Sequence, residues 1–383
     1  MSPRSAGVAA VALVALAVTT GSPGSAAAGK GRARGDIKIF AHIAKPGEPS
    51  LTLVTPGHKV FVGTFEDVSG SDTGASKVFK YNARGKLLRT YEIKGQTPGK
   101  AHGVQVAARD RRGRLYVLDQ EPARAIVLNP RTGSQSTYAT FPDVPTCSAA
   151  GRSTNCSNTS NDGVPEPDYA AWLKDGSLLV TDYSQQLIWR VPPHGGVAKV
   201  WLNDKILNGE LFGPAGIVLM PGGRSLLMTV ASGGVTSPNS EDDPAQGRLY
   251  RVRLKHRHGF GGLHRLWSSG VGQAPDGFAV SRNRRDVYIA MAGPTGNSVV
   301  EVSRSAKGWR TAWTIPRSVD GATDSPVIWD TATSVQFLGQ RLLVTNQAYF
   351  TAIPSHWVVF DVLAGERGMR LIVPKGVGAT ART

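Results

Sequence analysis

The chain holds 383 residues with a formal net charge of +16, 40% hydrophobic residues, 45 Gly, 24 Pro and two Cys. That apolar fraction fills a large core and excludes a low-complexity chain, a collagen-like repeat and a disulfide-dense scaffold. The surplus of turn-formers favours many short strands.

Arg4, the apolar run Val8–Val18 and the small residues Ala26-Ala27-Ala28 read as a signal peptide over residues 1–28, cleaved after Ala28. The apolar run is shorter than the roughly 20 residues that span a bilayer. Residues 29–35 are then expected to form a basic, flexible leader, and 36–383 a single domain of a secreted protein. Cys147 and Cys156 lie in a polar loop, 146–163, and in an oxidising compartment the expectation is a disulfide that closes it.

Four short β-patterned runs follow one another at Asp168–Trp172, Leu178–Asp182, Gln186–Val191 and Ala198–Leu202, joined by turn residues. The pattern recurs along the chain. Taking Glu48, His102, Asp168, Ala215, Asp276 and Thr333 as equivalent openings, the steps are 54, 66, 47, 61 and 57 residues, the longest holding the cysteine loop. Six units of four antiparallel strands, without an amphipathic helix between them, predict an all-β fold: a six-bladed β-propeller. Asp36–Ile43 is left over as a strand that could close the ring by pairing with the last blade. Trp172, Trp189, Trp201, Trp267 and Trp313 fall within strands and read as packing between blades.

In a propeller the first strand of each blade lines a central channel, so the opening residues gather at one mouth. Three carboxylates (Glu48, Asp168, Asp276) and the imidazole of His102 suit a hard cation with oxygen ligands, and also acid–base work. No G-x-S-x-G, H-E-x-x-H or P-loop spacing is present, and Lys255-His-Arg-His258 reads as a solvated basic turn.

Pro275-Asp276-Gly277-Phe-Ala-Val, Leu178-Leu-Val-Thr-Asp182, Pro214-Ala215-Gly216-Ile and Gly47-Glu48-Pro49 resemble the gluconolactonase/regucalcin (senescence marker protein) family, whose pattern is shared in part by NHL and strictosidine-synthase-like propellers. The resemblance spans about residues 45–375 and is one of repeats. It implies a divalent metal at the channel mouth, held by a Glu, two Asn and an Asp, with the Asp also serving as base in lactone hydrolysis. Carried over, Glu48 and Asp276 would be ligands. Asp168 stands where one Asn is expected, with Asn161 as an alternative, and Ala215 replaces the other and offers no donor. The expected chemistry is metal-assisted hydrolysis of a lactone or small ester. Ca²⁺ is the first candidate, with Zn²⁺ or Mn²⁺ as alternatives, Asp276 as base, His102 orienting the substrate or proton, and Thr333 and Asn161 touching substrate.

The competing reading is a non-catalytic extracellular binding propeller with a degenerate metal site. The long site-face loops Phe65–Ser76, Ala231–Gly247 and Asn346–His356, the last carrying Tyr349 and Phe350, are expected to form either a lid over a small substrate or a surface for a larger partner. The charge divides between faces. Turns opposite the site carry Arg111, Arg112, Arg224, Arg282, Arg284, Arg285, Arg304 and Lys307, whereas the site-face loops carry Asp119, Glu121, Asp162, Glu166 and Asp182. The expected partners are a small substrate at the acidic mouth and anionic cell-wall polymers or lipid headgroups on the basic face, with no nucleic acid. The chain is expected to be a monomer.

Overall fold

The computed structural model describes residues 31–65, 74–97, 99–151, 153–159, 163–209, 212–231, 246–293, 296–319, 322–375 and 377. The expected signal peptide, Asn161 and Asp162 lie outside the described residues. The chain divides into two units, Met1–Arg32 and Ala33–Thr383, and every element below belongs to the second.

That unit is a β-propeller built from antiparallel meanders. Four of them are separate four-stranded sheets. The first comprises Pro167–Trp172, Leu178–Asp182, Leu187–Val191 and Lys199–Leu202. The second comprises Pro214–Leu219, Ser225–Val230, Gln246–Leu254 and Phe260–Val271. The third comprises Pro275–Val280, Asp286–Met291, Ser298–Ser305 and Gly308–Ile315. The last takes Ala332–Leu338, Arg341–Asn346 and Val358–Leu363 from the end of the chain and Ile37–His42 from its beginning, as the sequence led us to expect.

The meanders Pro49–Val54 to Leu87–Glu92 and Val104–Arg109 to Gln135–Thr140 are fused with Gly196–Val197 in one nine-stranded sheet. The expectation of six separate blades is thereby corrected: the separate four-stranded sheets number four. The fusion has a local cause. Leu51 pairs in parallel with Gln105, and Ser50 Oγ donates to Val104 O at 2.6 Å. Gly63 permits this approach, since a Cβ there would stand 2.1 Å from Val104 O.

The innermost strands of the meanders neighbour one another in chain order around a closed circuit, the last beside the first. Burial falls outward from that circuit. The second strand Leu178–Asp182 is buried at every position, which suits its apolar run. The outer strand Leu87–Glu92 buries only Tyr91. Between neighbouring sheets the apolar faces interlock. Trp189 is wholly buried beside Trp172, and the Trp172 and Tyr116 rings meet edge-on at 4.8 Å. Trp329 stacks on Phe360 at 4.7 Å. Trp267 is buried as expected, while Trp201 and Trp313 are half-buried. Turns are closed by short polar side chains: Asp175 Oδ1 accepts from Ser177 N at 3.0 Å and Ser177 Oγ at 2.6 Å, around Gly176 at φ 88°.

Arg34, expected within the flexible leader, is anchored instead. Its guanidinium donates to the Glu301 carboxylate, to Tyr288 Oη at 3.3 Å and to Ala364 O at 3.1 Å, and lies 4.4 Å over the Trp313 ring.

Cys147 and Cys156 form a disulfide. Closing a loop of nine residues removes freedom from the unfolded chain worth about 2–3 kcal/mol. Cys147→Ser with Cys156→Ser should therefore lower the unfolding free energy measured in urea by that amount while leaving the far-ultraviolet circular dichroism of the folded protein unchanged.

Candidate active site

The inner strands open in a common way. Pro49, Pro167, Pro214 and Pro275 stand first in theirs and Ala332 in the last, and in each the pairing register shifts over the next three residues. Proline has no N–H to give to a ladder, and an irregularity at a strand's start re-aims the following side chain. The residues in second place are Ser50, Asp168, Ala215, Asp276 and Thr333. Together with Gln105 they line one narrow cavity of ≈ 60 Å³. At roughly 10–15 Å³ per water on this measure, the space admits a few waters or a small chemical group.

Aromatic rings cap it. Phe65, Tyr183 and Tyr349 arrive from loops that follow second strands, and Phe212 from the loop before Pro214. Tyr349 meets Phe65 at 5.7 Å, Phe212 at 6.4 Å and Phe350 at 5.2 Å, all edge-to-face. The loop carrying Tyr349 and Phe350 is braced from below. Asp330 Oδ2 lies 2.8 Å from His356 Nδ1 and accepts from the Thr351 hydroxyl, and Asn346 Nδ2 donates to His356 O at 2.8 Å.

Tyr169 crosses the channel to donate from Oη to Thr333 O at 2.8 Å. It passes over Gly277, where a Cβ would stand 2.2 Å from that oxygen, so the bridge requires glycine. Tyr169 also hydrogen-bonds the Asp276 carboxyl, which steadies its charged form.

Asp168 and Asp276 dominate the electrostatics. Burial pushes the Asp168 carboxyl well above the usual range, and the charges of Asp276, Asp182 and Glu166 push it further. Burial pushes Asp276 up to about 7, against hydrogen bonds from Tyr169 and Gly277 N. Glu166 rises to about 7 by burial and by the charge of Asp182. Asp182 rises to about 6 by burial, although Trp189 Nε1, Gln185 N and Glu166 N all donate to it. It is a structural carboxylate beneath the mouth. Asp276 Oδ1 and Gln105 Oε1 are buried acceptors with no hydrogen-bond partner among the described residues. Leaving each so costs about 1–3 kcal/mol, which a donor from a ligand or water removes.

The sequence-predicted residues separate into two groups. Asp168, Asp276 and Thr333 reach the cavity, but the Thr333 hydroxyl is committed to Ser50 O at 3.0 Å and lies 2.9 Å from Thr345 Oγ1. Glu48 is fully buried two positions before Ser50, at φ 39°, and does not line the cavity. His102 is buried three positions before Gln105, with Nδ1 2.8 Å from Ser76 Oγ, and does not reach the cavity either. The expected ligand set is corrected accordingly: of Glu48, Asp168 and Asp276, only the two aspartates converge. Ca²⁺ takes six to eight oxygens and catalytic Zn²⁺ takes imidazoles. Among the described residues no three His, Cys, Asp or Glu side chains come together as a metal site. Ala215 adds nothing, so the donor set does not fit the metal that the family resemblance implies. Sequence reading missed Ser50, Gln105, Tyr169, and Tyr183 and Phe212 of the aromatic cap, whereas it placed the loops of Phe65, Tyr349 and Phe350 on the site face. The proline before Ser50, Asp168, Ala215 and Asp276 was the signal that marks the register.

No family model matches this sequence, and no curated protein matches it. Solved structures do share its fold. They include a luciferin-regenerating enzyme, with TM-score 0.55 and 12% identity, covering 89% of this chain and 99% of that one. Virginiamycin B lyase from Staphylococcus aureus gives 0.51 and 11%, covering 86% and 99%. A chain of a nidogen/laminin complex gives 0.50 and 13%, covering 82% and 94%. At these identities the likeness is one of fold, a β-propeller.

The raised carboxyls fix the sign of a pH effect. Unfolded carboxyls lose their protons near pH 4, whereas folded Asp276 and Glu166 keep theirs to about 7. Between those limits the folded chain binds more protons, so their contribution to stability falls as pH rises. Asp168→Asn with Asp276→Asn should raise the melting temperature more at about pH 8 than at about pH 5. Equal shifts at both would contradict the assignment.

Proposed function

We propose that this chain is a secreted hydrolase of a small hydroxylated ester or lactone, a propeller of the gluconolactonase/regucalcin kind. On this reading the two meanders of the fused sheet are separate blades, for a total of six. The observation that carries it is the pair of buried carboxyls, Asp168 and Asp276, at the floor of an aromatic-capped cavity. Burial pushes both proton affinities up, and the charge of Asp276 pushes Asp168 further, so the pair retains a proton well above the ordinary carboxylate range, as an acid–base pair at neutral pH requires. The unpartnered acceptors Asp276 Oδ1 and Gln105 Oε1 favour a ligand rich in hydroxyl donors, and the rings above favour its apolar face.

Asp276, ionised, takes a proton from water as its oxygen attacks the acyl carbon. Asp168, protonated, gives its proton to the departing alkoxide as the acyl–oxygen bond breaks. The products are a hydroxyl group and an acid, and one proton passes from Asp276 back to Asp168 to reset the pair. No step is routed through a metal.

A second reading, a non-catalytic binding propeller, draws on Phe350 and Ile353, exposed by 46% and 40% on the loop beside the cavity. Export rests on residues 1–28 and is checked by N-terminal sequencing of protein from the medium, expected to begin at Gly29.

The deciding assay is hydrolysis of a panel of aldonolactones and aryl esters. We expect turnover that persists in EDTA and falls about 10²–10⁴-fold in Asp276→Asn, with Asp168→Asn losing the alkaline limb of the pH profile. Ligand binding without turnover, unchanged by either variant, supports the binding module instead.

A further inference from the structure

A second cavity, ≈ 620 Å³, opens between the meanders that begin at Pro214 and Pro275, at the ends of their strands remote from the carboxyl pair. Its walls carry Arg251 from Gln246–Leu254, Arg284 and Arg285 from the turn after Pro275–Val280, and Arg304 with Ser305 from the end of Ser298–Ser305. Among the described residues no carboxylate lines it. Elsewhere in the molecule Arg34, Arg114, Arg124, Arg190 and Arg341 each hold an acid. These four guanidinium groups make no side-chain hydrogen bond or ion pair among the described residues.

The nearby acids are already engaged. Asp286 accepts from Ser303 Oγ at 2.6 Å and Asn283 Nδ2 at 3.3 Å, and Glu366 accepts from Tyr288 Oη at 2.7 Å. The turn that presents the arginines is itself held in an unusual form. Arg284 has φ 64°, in the left-handed region, while Asn283 Oδ1 accepts from Arg285 N at 2.6 Å and Ser281 Oγ at 2.7 Å. A non-glycine residue in that region costs energy and persists where its surroundings over-determine it. Four like charges around one volume repel each other, and an anion of several charges removes that repulsion. Guanidinium forks match the oxygens of phosphate two at a time, and the volume lies in the range of small-ligand sites.

We propose that this cavity is a specific binding site for a phosphate-bearing anion with more than one negative charge, separate from the channel mouth and independent of the hydrolase reading. It is a defined site, in contrast to diffuse adsorption over the basic face.

Titration calorimetry with tripolyphosphate tests it on the full secreted chain. The expected result is saturable binding at one equivalent, weakened at least tenfold by Arg284→Ala with Arg304→Ala and weakened also by Arg304→Lys, which keeps the charge but loses the fork. A control pair on the same face, Lys86→Ala with Arg131→Ala, should leave the affinity unchanged, and melting temperatures should show all variants folded. Sedimentation with phosphatidylglycerol vesicles separates the sources. Vesicle binding lost in the Arg284/Arg304 variant assigns a lipid headgroup. Tripolyphosphate binding without vesicle binding assigns a free or polymer-borne phosphate. Absence of binding, or non-saturable binding reduced equally by the control pair, overturns the proposal.

Discussion

The desolvation of two carboxyl groups is the constraint around which the channel mouth is organised. Asp168 and Asp276 come from inner strands with Ala215 between them in the circuit, and burial raises the proton affinity of both. The buried carboxylates of Glu301, Asp110, Asp119 and Asp361 each have an arginine partner. Asp119, for example, accepts from Arg124 Nη2 at 2.9 Å and Gln96 Nε2 at 2.7 Å. The aspartate pair instead has Tyr169, a neutral donor that steadies the Asp276 carboxylate without neutralising it. Such a pair is expensive to fold with both members ionised, and retaining a proton relieves that cost.

The fold makes this arrangement rigid. Five of the inner strands begin with a break in their ladders, and that break sends the second residue into the channel while the rest of the strand joins the packing between sheets. The chain's ends are tied together through Ile37–His42 against Val358–Leu363, and Arg34 extends that closure to Glu301 and Trp313. The loops that cap the mouth are held by buried polar groups such as Asp330 and Asn346, so the aromatic cap rests on scaffold. At the other end of the strands, Asp286 and Glu366 accept from Ser303, Asn283 and Tyr288 and leave the arginine cavity positive.

Much of this was legible in the sequence. Alternating apolar runs punctuated by Asp-Gly and similar turns defined the meanders, the closing strand and the disulfide, because these depend on local chemistry. The sheet count was less legible. The contact between Gly63 and Val104 that fuses two meanders is a matter of backbone approach between distant residues. The site was half legible. Asp168, Asp276 and Thr333 were aligned at the channel, but Glu48 and His102, taken as equivalent openings of their repeats, sit two and three places before Ser50 and Gln105. Counting from the proline instead places Ser50 at the channel. No comparable mark stands before Gln105, and the strand order put the loops of Phe65, Tyr349 and Phe350 on the site face without showing that their rings meet.

Carboxyl ¹³C chemical shifts of Asp168 and Asp276, followed through a pH titration, test the central claim most directly. Both shifts are expected to stay at the protonated position through about pH 5, with Asp276 titrating near 7 and Asp168 well above the ordinary aspartate value. Two independent transitions near the ordinary aspartate value of about 4 would contradict it.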